Sequence, residues 1–240
     1  MMEQIRTGAE YPPMEAQTFA ALRDLDACTL ANSIEATGVR LRNEGYMDST
    51  IRCLFPDLPA LLGYAFPLRV RTDNPPIEGL AYVDRVDWWD QLLAIPQPRV
   101  LVIEDEHKGM ASGSILGEVH ANIYRALGCA GIITDGGARD LPALRRFGFA
   151  VFASHVSVSH AYAHVVAVGE PVTVGGLKVR TGDLLHGDVH GILSIPLQVA
   201  QQLPEIVARQ KKEEQVIIDY CHSAGFTVEG LQRLLVRNQE

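Results

Sequence analysis

The chain of 240 residues has no apolar run approaching the roughly 18–20 residues a membrane-spanning helix needs, so no membrane span is expected. Its first residues, MMEQIRTGAEYPPMEAQ, carry acids and prolines where a signal peptide would need an apolar stretch, and a cytoplasmic location is expected. It lacks basic excess: the net charge of −8 argues against broad nucleic-acid binding, which requires a positive surface to displace counterions. Lysine is scarce, with only Lys108, Lys178, Lys211 and Lys212, so arginine supplies nearly all the positive charge. The four cysteines, Cys28, Cys53, Cys129 and Cys221, form no CxxC pair and are expected to be buried thiols. No GK[ST] P-loop, GxGxxG turn, GxSxG elbow or HExxH pair occurs. What is present, 47% hydrophobic and 21% charged residues with 21 Gly and 13 Pro, suits a globular chain long enough to bury a core without staples.

Residues 1–17 read as a loose leader. From Thr18 to about Gly38, Phe19, Leu22, Leu25, Leu30 and Ile34 recur at helical spacing, with a cap near Asp26. Residues 61–71 (LLGYAFPLRVR) read as a strand interrupted at Pro67, and residues 83–93 as a short helix ended by Pro96 and Pro98. A strand over 99–104 (RVLVIE), a helix over 114–127, a strand over 131–134, a helix over 141–147 and a strand over 150–153 follow. Strands alternating with helices through short connections predict parallel βαβ units. Residues 165–196 alternate instead as short strands, with a hairpin at Gly175-Gly176. A long polar helix is expected from Pro196 to about Cys221, exposing the KKEE run, and a last helix around 228–236. The expected architecture is one α/β domain over residues 18–196, with a central mixed sheet and a helical extension over 197–240.

The chemistry concentrates between Gly113 and Asp140. The segment GSILGE is expected to open a helix, where unpaired backbone N–H groups of Ser114, Ile115, Leu116 and Gly117 would attract a carboxylate or phosphate. The next strand runs into Asp135-Gly136-Gly137-Ala138-Arg139-Asp140, beyond a strand's carboxyl end, where ligands of open α/β sheets gather. Arg139 offers a guanidinium fork to a carboxylate or developing oxyanion, and Asp140 a hard oxygen to a cation. The bland alternative is a surface salt bridge, or an aspartate capping the helix that begins at Leu141.

Twenty residues separate Glu118 from Arg139, and an acid, twenty residues, then Arg-Asp resembles the pattern of the RraA-like superfamily, which includes the divalent-metal 4-hydroxy-4-methyl-2-oxoglutarate/4-carboxy-4-hydroxy-2-oxoadipate aldolases. The resemblance extends from about Asp24 to Pro196 through LLGYAFPLRVR, RVLVIE, GCAGIITDGGARDLPALRRFGFAVFA and PVTVGGLKVRTGDLLHGDVHGILSIP. It implies an RraA-like α/β sandwich that assembles as a homotrimer or dimer of trimers. It further implies a lyase cleaving a 4-hydroxy-2-oxo acid to pyruvate, with oxaloacetate decarboxylation through the same enolate. Under it, Asp140 would bind Mg²⁺ or Mn²⁺, Glu118 would hold metal-bound water, Arg139 would contact the substrate carboxylate or enolate oxygen, and the amides of 114–117 would bind the pyruvyl carboxylate. Glu213 or Glu214 would be the acid lent to a neighbouring subunit, against the plainer reading of KKEE as a solvated helix face. One departure stands out: the family often has Asp-x-Asp-Gly near its last strands, whereas here the text is Asp188-Val189-His190-Gly191. Other family members are non-catalytic inhibitors of ribonuclease E, and a divergent lyase, hydrolase or isomerase is the third reading.

Competing constellations are weaker. A Schiff-base route needs a desolvated lysine, and only Lys108 beside the proposed site and Lys178 in a strand are candidates. His155, His160 and His164 cluster in sequence, and His160 and His164 would pair on a helix, but surface or packing histidines are the simpler reading. His107 is a candidate for lining the pocket, Ser112 and Ser114 lack a nucleophile elbow, and Trp88-Trp89 read as core or interface aromatics. Asp183 and Asp188 read as turn-shaping residues.

Overall fold

A computed structural model describes residues 14–76, 88–107 and 113–237. The first helix, α1 (Ala16–Arg23), starts inside the segment expected as a leader. A break at Asp24–Asp26 leads to α2 (Ala27–Thr37). Asp26 accepts the Thr29 N–H at 2.8 Å, and Gly38 closes the helix in the left-handed conformation at φ 67°.

Among the described residues, eight strands form the main sheet. These are β1 (Arg52–Cys53), β2 (Leu61–Arg71), β3 (Arg99–Asp105), β4 (Cys129–Ala138), β5 (Ala150–Val156), β6 (His164–Val168), β9 (Leu184–Asp188) and β10 (Gly191–Ile195). The order is β1-β5-β4-β3-β2-β9-β10, and β6 pairs with β2 beyond β9. Strands β2 to β5 run parallel; β1, β6, β9 and β10 run antiparallel to their neighbours. The remaining hairpin, β7 (Val172–Val174) with β8 (Leu177–Val179), turns at Gly175 and Gly176, whose φ of 52° and 74° suit a type I′ connection.

Both faces of the sheet are buried, which is why β2 and β3 read as continuous apolar runs. Ala65, Val100, Val102, Ile133 and Phe152 pack on one side against Val172, Val174, Val179, Met47 and Ile51. Phe66, Leu68, Leu101, Ile103, Ile132 and Val151 face the helices. These helices include α3 (Trp89–Leu93), α4 (Glu118–Ala126), α5 (Leu141–Arg146), the single turn α6 (Leu197–Ala200) and α7 (Leu203–His222). Trp88 sits in that layer, stacked 5.9 Å from Phe66, as a core aromatic. Helix α8 (Val228–Arg237) folds back on α7, where the Tyr220 hydroxyl accepts the Thr227 N–H.

Several expectations need correction. Pro67 does not interrupt β2. It lies where the flank of β2 passes from β9, paired with residues 61–64, to β6, paired with residues 68–71, so the missing N–H falls in a gap between ladders. The helix expected from Ser114 begins only at Glu118. The long helix from Pro196 is broken into α6 and α7. His160 lies in a turn and His164 opens β6, so they share no helix face. Only Cys129 is a buried thiol, its pKa pushed up by burial to about 12; Cys28 and Cys221 are exposed. The expected helix over 83–93 is described only from Trp88 onward.

Candidate active site at the carboxyl edge of the sheet

The parallel strands end on one edge, and Ala138, at the end of β4, bridges to Leu116 in the segment before α4. The Arg139 N–H donates to the Leu116 carbonyl at 3.1 Å. This places the two sequence-predicted segments, 114–118 and 135–140, side by side.

Their meeting point is Gly117. A Cβ built there would lie 2.7 Å from Asp140 Oδ2, 3.0 Å from Arg139 Nε and 3.2 Å from Arg139 Nη2. The Gly117 backbone is extended (φ −137°, ψ −174°), a conformation open to any residue, so its glycine serves the close approach of those two side chains. Asp140 is exposed and left-handed at φ 57°, and it precedes α5 without capping it. Its Oδ2 accepts instead from the Glu118 N–H at 2.9 Å, the first amide of α4. Glu118 is itself exposed in the first turn of that helix.

Ser114 to Gly117 form a buried, non-helical approach to α4. The Ser114 N–H is taken by the Ser159 carbonyl at 3.0 Å and the Leu116 N–H by Ser114 Oγ at 3.1 Å. Among the described residues, the N–H groups of Ile115 and Gly117 meet no protein acceptor. Ile115 and Leu116 also bury their side chains in the core.

Behind this edge lies a layer that sequence reading missed. Asp105, buried at the end of β3, accepts from the Thr72 hydroxyl at 2.8 Å and the His107 N–H at 3.0 Å. Burial raises its carboxyl pKa, against those hydrogen bonds and the nearby His107, while Asp73 adds to the rise. Its own N–H donates to Asp135 Oδ1 at 2.7 Å. Ser154, from β5, donates to the Asp135 carbonyl at 2.5 Å. The one sequence signal for this layer was the Gly136-Gly137 pair inside an apolar strand, a mark of a bulge.

Of the other candidates, His107 stays next to this edge, following β3, while the rest fall away from it or outside the described residues. His107 stands beside Asp73, with Nδ1 3.8 Å from its carboxylate. Lys178 is exposed on β8, and Lys108 and Ser112 lie outside the described residues. Asp188 and His190 sit at the opposite, amino-terminal edge: Leu61, which opens β2, pairs with Gly187. There Asp188 accepts from the Ala27 N–H at 2.8 Å and the His190 N–H at 2.8 Å, so the His190 substitution alters a turn remote from Asp140 within one chain. Asp183 accepts the Arg180 N–H at 2.8 Å in a second turn. Glu213 and Glu214 are exposed on α7. Among the described residues, no group of three or more His, Cys, Asp or Glu side chains is placed to hold a metal, and no helix is long and apolar enough to cross a membrane.

A protein of Halalkalibacterium halodurans named "Putative 4-hydroxy-4-methyl-2-oxoglutarate aldolase" is 25% identical over 177 residues, 70% of this chain and 84% of the relative. Among solved structures, a protein of Pseudomonas syringae pv. tomato superposes with a TM-score of 0.69 at 22% identity, covering 93% of this chain and 96% of the other. RraAS2 of Streptomyces coelicolor, described as an unusual member of the RNase ES inhibitor RraA protein family, superposes with a TM-score of 0.65 at 21% identity, covering 86% and 98%. These superpositions establish the α/β fold with its central mixed sheet. The RraA-like family (Aldolase/RraA) matches residues 24–194, a span that takes in β1 through β9 and the meeting of Gly117, Arg139 and Asp140, and the chain belongs to that family.

Proposed function

We propose that this chain is a divalent-metal-dependent lyase that cleaves a 4-hydroxy-2-oxo acid to pyruvate by retro-aldol chemistry and decarboxylates oxaloacetate at the same site. The carrying observation is the convergence of a guanidinium and a carboxylate on the Cβ-less Gly117. The name of the H. halodurans relative points the same way.

The residues suit Mg²⁺ or Mn²⁺. Asp140 presents a hard carboxylate oxygen at an exposed edge, Glu118, whose backbone N–H donates to Asp140, offers a second carboxylate, and no thiolate or imidazole cage surrounds them among the described residues. Such a donor set matches a cation that keeps most of its waters. When bound, the cation supplies Lewis acidity to the oxygens of the 2-oxo acid.

The chain's own groups do the rest. Arg139 pairs its planar fork with the substrate carboxylate or the oxygen that becomes the enolate, where charge develops as the bond breaks. The Ile115 and Gly117 N–H groups are donors for the carboxylate. Glu118 directs a water that takes the proton of the 4-hydroxyl. The 4-hydroxyl oxygen becomes the carbonyl of the released product as the bond between C3 and C4 breaks, its electron pair passes into the pyruvate enolate, and the proton taken by the water returns to C3 to complete pyruvate. In oxaloacetate the bond to the departing CO₂ breaks to give the same enolate.

The reading includes assembly as a homotrimer or dimer of trimers, with Glu213 or Glu214 reaching a neighbouring site. Its support is the arm formed by the end of α7 and by α8, which exposes Val216, Ile218, Phe226, Val228, Leu235 and Val236. Sedimentation of the purified chain tests the assembly.

The deciding assay is pyruvate release from oxaloacetate and from 4-hydroxy-4-methyl-2-oxoglutarate with Mg²⁺, with Mn²⁺ and with EDTA. Metal-dependent pyruvate from both is expected. Decarboxylation alone would redirect the site to another acid. Silence on both from folded protein that binds no metal would favour the non-catalytic, protein-binding role known among RraA proteins.

A further inference from the structure

The geometry points to Ser154 as a positioning residue that aims Arg139 and Asp140, acting through a bulge in β4; the inference rests on the reading of that pair as the working site. In the β4–β5 ladder, Thr134 pairs with Ala153, but the next pair is Gly137 with His155. Two residues, Asp135 and Gly136, therefore oppose the single residue Ser154. A bulge of this kind bends its strand and re-aims everything beyond it. What lies beyond is Gly137, Ala138, Arg139 and Asp140.

Ser154 fills the bulge with one atom. Its Oγ donates to the Asp135 carbonyl at 2.5 Å and stands 3.1 Å from the Gly136 carbonyl, so a single hydroxyl proton is shared between the carbonyls of the two bulged residues. The same Oγ lies 2.7 Å from His155 Nδ1, a third polar partner around the one hydroxyl. On the β3 side, Asp135 Oδ1 is held by the Asp105 N–H at 2.7 Å, and the Gly136 N–H is held by Thr134 Oγ1 at 2.9 Å.

The frame continues without a break to the site. Ala138 accepts the Ser157 N–H at 2.9 Å from one side, and the Arg139 N–H donates to Leu116 at 3.1 Å on the other. Gly117, against which the Arg139 and Asp140 side chains rest, is the next residue after Leu116. Ser154 itself touches none of these side chains. Removing its hydroxyl takes away the one group that ties both bulge carbonyls and His155 Nδ1 together, which favours collapse of the bulge into regular pairing. A one-residue slip reverses the side to which each following side chain points, and so would carry Arg139 and Asp140 off Gly117.

The test compares wild type, Ser154→Ala and Ser154→Thr, the last keeping the hydroxyl on a side chain that suits a strand. Three readouts are taken: Mn²⁺ affinity by calorimetry, amide hydrogen exchange over residues 135–140, and kcat and KM for oxaloacetate decarboxylation. Ser154→Ala should bind Mn²⁺ about 10-fold more weakly, the scale seen when a group supporting a metal ligand is lost. Its exchange should rise over 136–140 and not in β2 or β3, and kcat should fall more than KM changes. Ser154→Thr should restore all three. Wild-type exchange over 136–140 in Ser154→Ala would overturn the positioning role, and so would wild-type Mn²⁺ affinity with unchanged kcat. If wild type itself binds no Mn²⁺ and makes no pyruvate, the lyase reading falls, and the exchange comparison alone still decides whether Ser154 holds this segment.

Discussion

The N–H of Glu118 donates to Oδ2 of Asp140 at 2.9 Å, so the carboxylate that precedes α5 caps α4 instead. One oxygen thereby satisfies an orphan amide at a helix start and places negative charge at the positive end of the helix dipole. The other oxygen has no protein donor among the described residues, on a residue that is itself exposed. The cap and the proposed metal contact would fall on different atoms of the same side chain, so they can be separated by substitution.

Asp140→Asn makes that separation. Asparagine tolerates the left-handed φ of 57° better than alanine does, and its amide oxygen can still accept from Glu118. The melting temperature should shift by no more than the loss of about 1 kcal/mol associated with an imperfect cap. Mn²⁺ binding and metal-dependent pyruvate release should disappear. Calorimetry showing undiminished Mn²⁺ affinity would remove Asp140 as a ligand.

Arg139→Lys keeps the charge and loses the fork. An ammonium cannot make two parallel hydrogen bonds to a carboxylate or cover both Nε and Nη2 positions against Gly117. A decrease of about 10²-fold in kcat/KM for oxaloacetate is expected, the scale of losing one oxyanion donor. Steady-state kinetics within a factor of two of wild type would assign Arg139 a packing role only.

Gly117→Ala tests the close approach directly. Its extended backbone accepts alanine without strain, and the added Cβ, which would lie 2.7 Å from Asp140 Oδ2 and 3.0 Å from Arg139 Nε, acts by pushing those two groups away. Folding should survive, as judged by an unchanged circular dichroism spectrum, while Mn²⁺ affinity and activity fall by about 10-fold or more. Full activity would mean that the two side chains do not work from the positions they hold against Gly117.

Much of this was legible in sequence because it depends on local chemistry. Asp26 and Gly38 bound α2 through their own side-chain and backbone preferences, and Gly175-Gly176 sets its hairpin by positive φ alone. The Arg139-Asp140 pair and Glu118 stood out because their spacing resembles the RraA-like pattern. The misreadings come from tertiary facts. Pro67 is tolerated in a central strand because two different partners leave a gap beside it. Ser114 looked like a helix start, yet its N–H goes to Ser159 and its hydroxyl to Leu116, which holds the chain out of the helix until Glu118. The contributions of Asp105 and Ser154 depend on which strands lie side by side, and nothing in their own neighbourhoods in sequence reveals it.

His186 gives a pH dependence whose sign can be worked out. It is fully buried on β9, and among the described residues neither ring nitrogen makes a hydrogen bond, although the Leu25 and Arg23 carbonyls approach the ring. Burial depresses its pKa below the usual 6.5, with Asp188, those carbonyls and Asp26 opposing the shift. In acid the unfolded chain therefore takes up a proton that the folded chain refuses. The stability is complete above pH 6.5 and declines as pH falls through 6.5 toward the folded-state value, by at most about 1.4 kcal/mol per pH unit. Replacing an unsatisfied imidazole with an apolar side chain of similar size removes the desolvation cost as well as the titration. His186→Leu should thus match or exceed wild type in urea midpoint at pH 7.5 and lose less between pH 7.5 and 5.5. An equal loss in both proteins would locate the acid sensitivity elsewhere, and a large drop for His186→Leu at pH 7.5 would show that the Leu25 and Arg23 carbonyls bond the ring in solution.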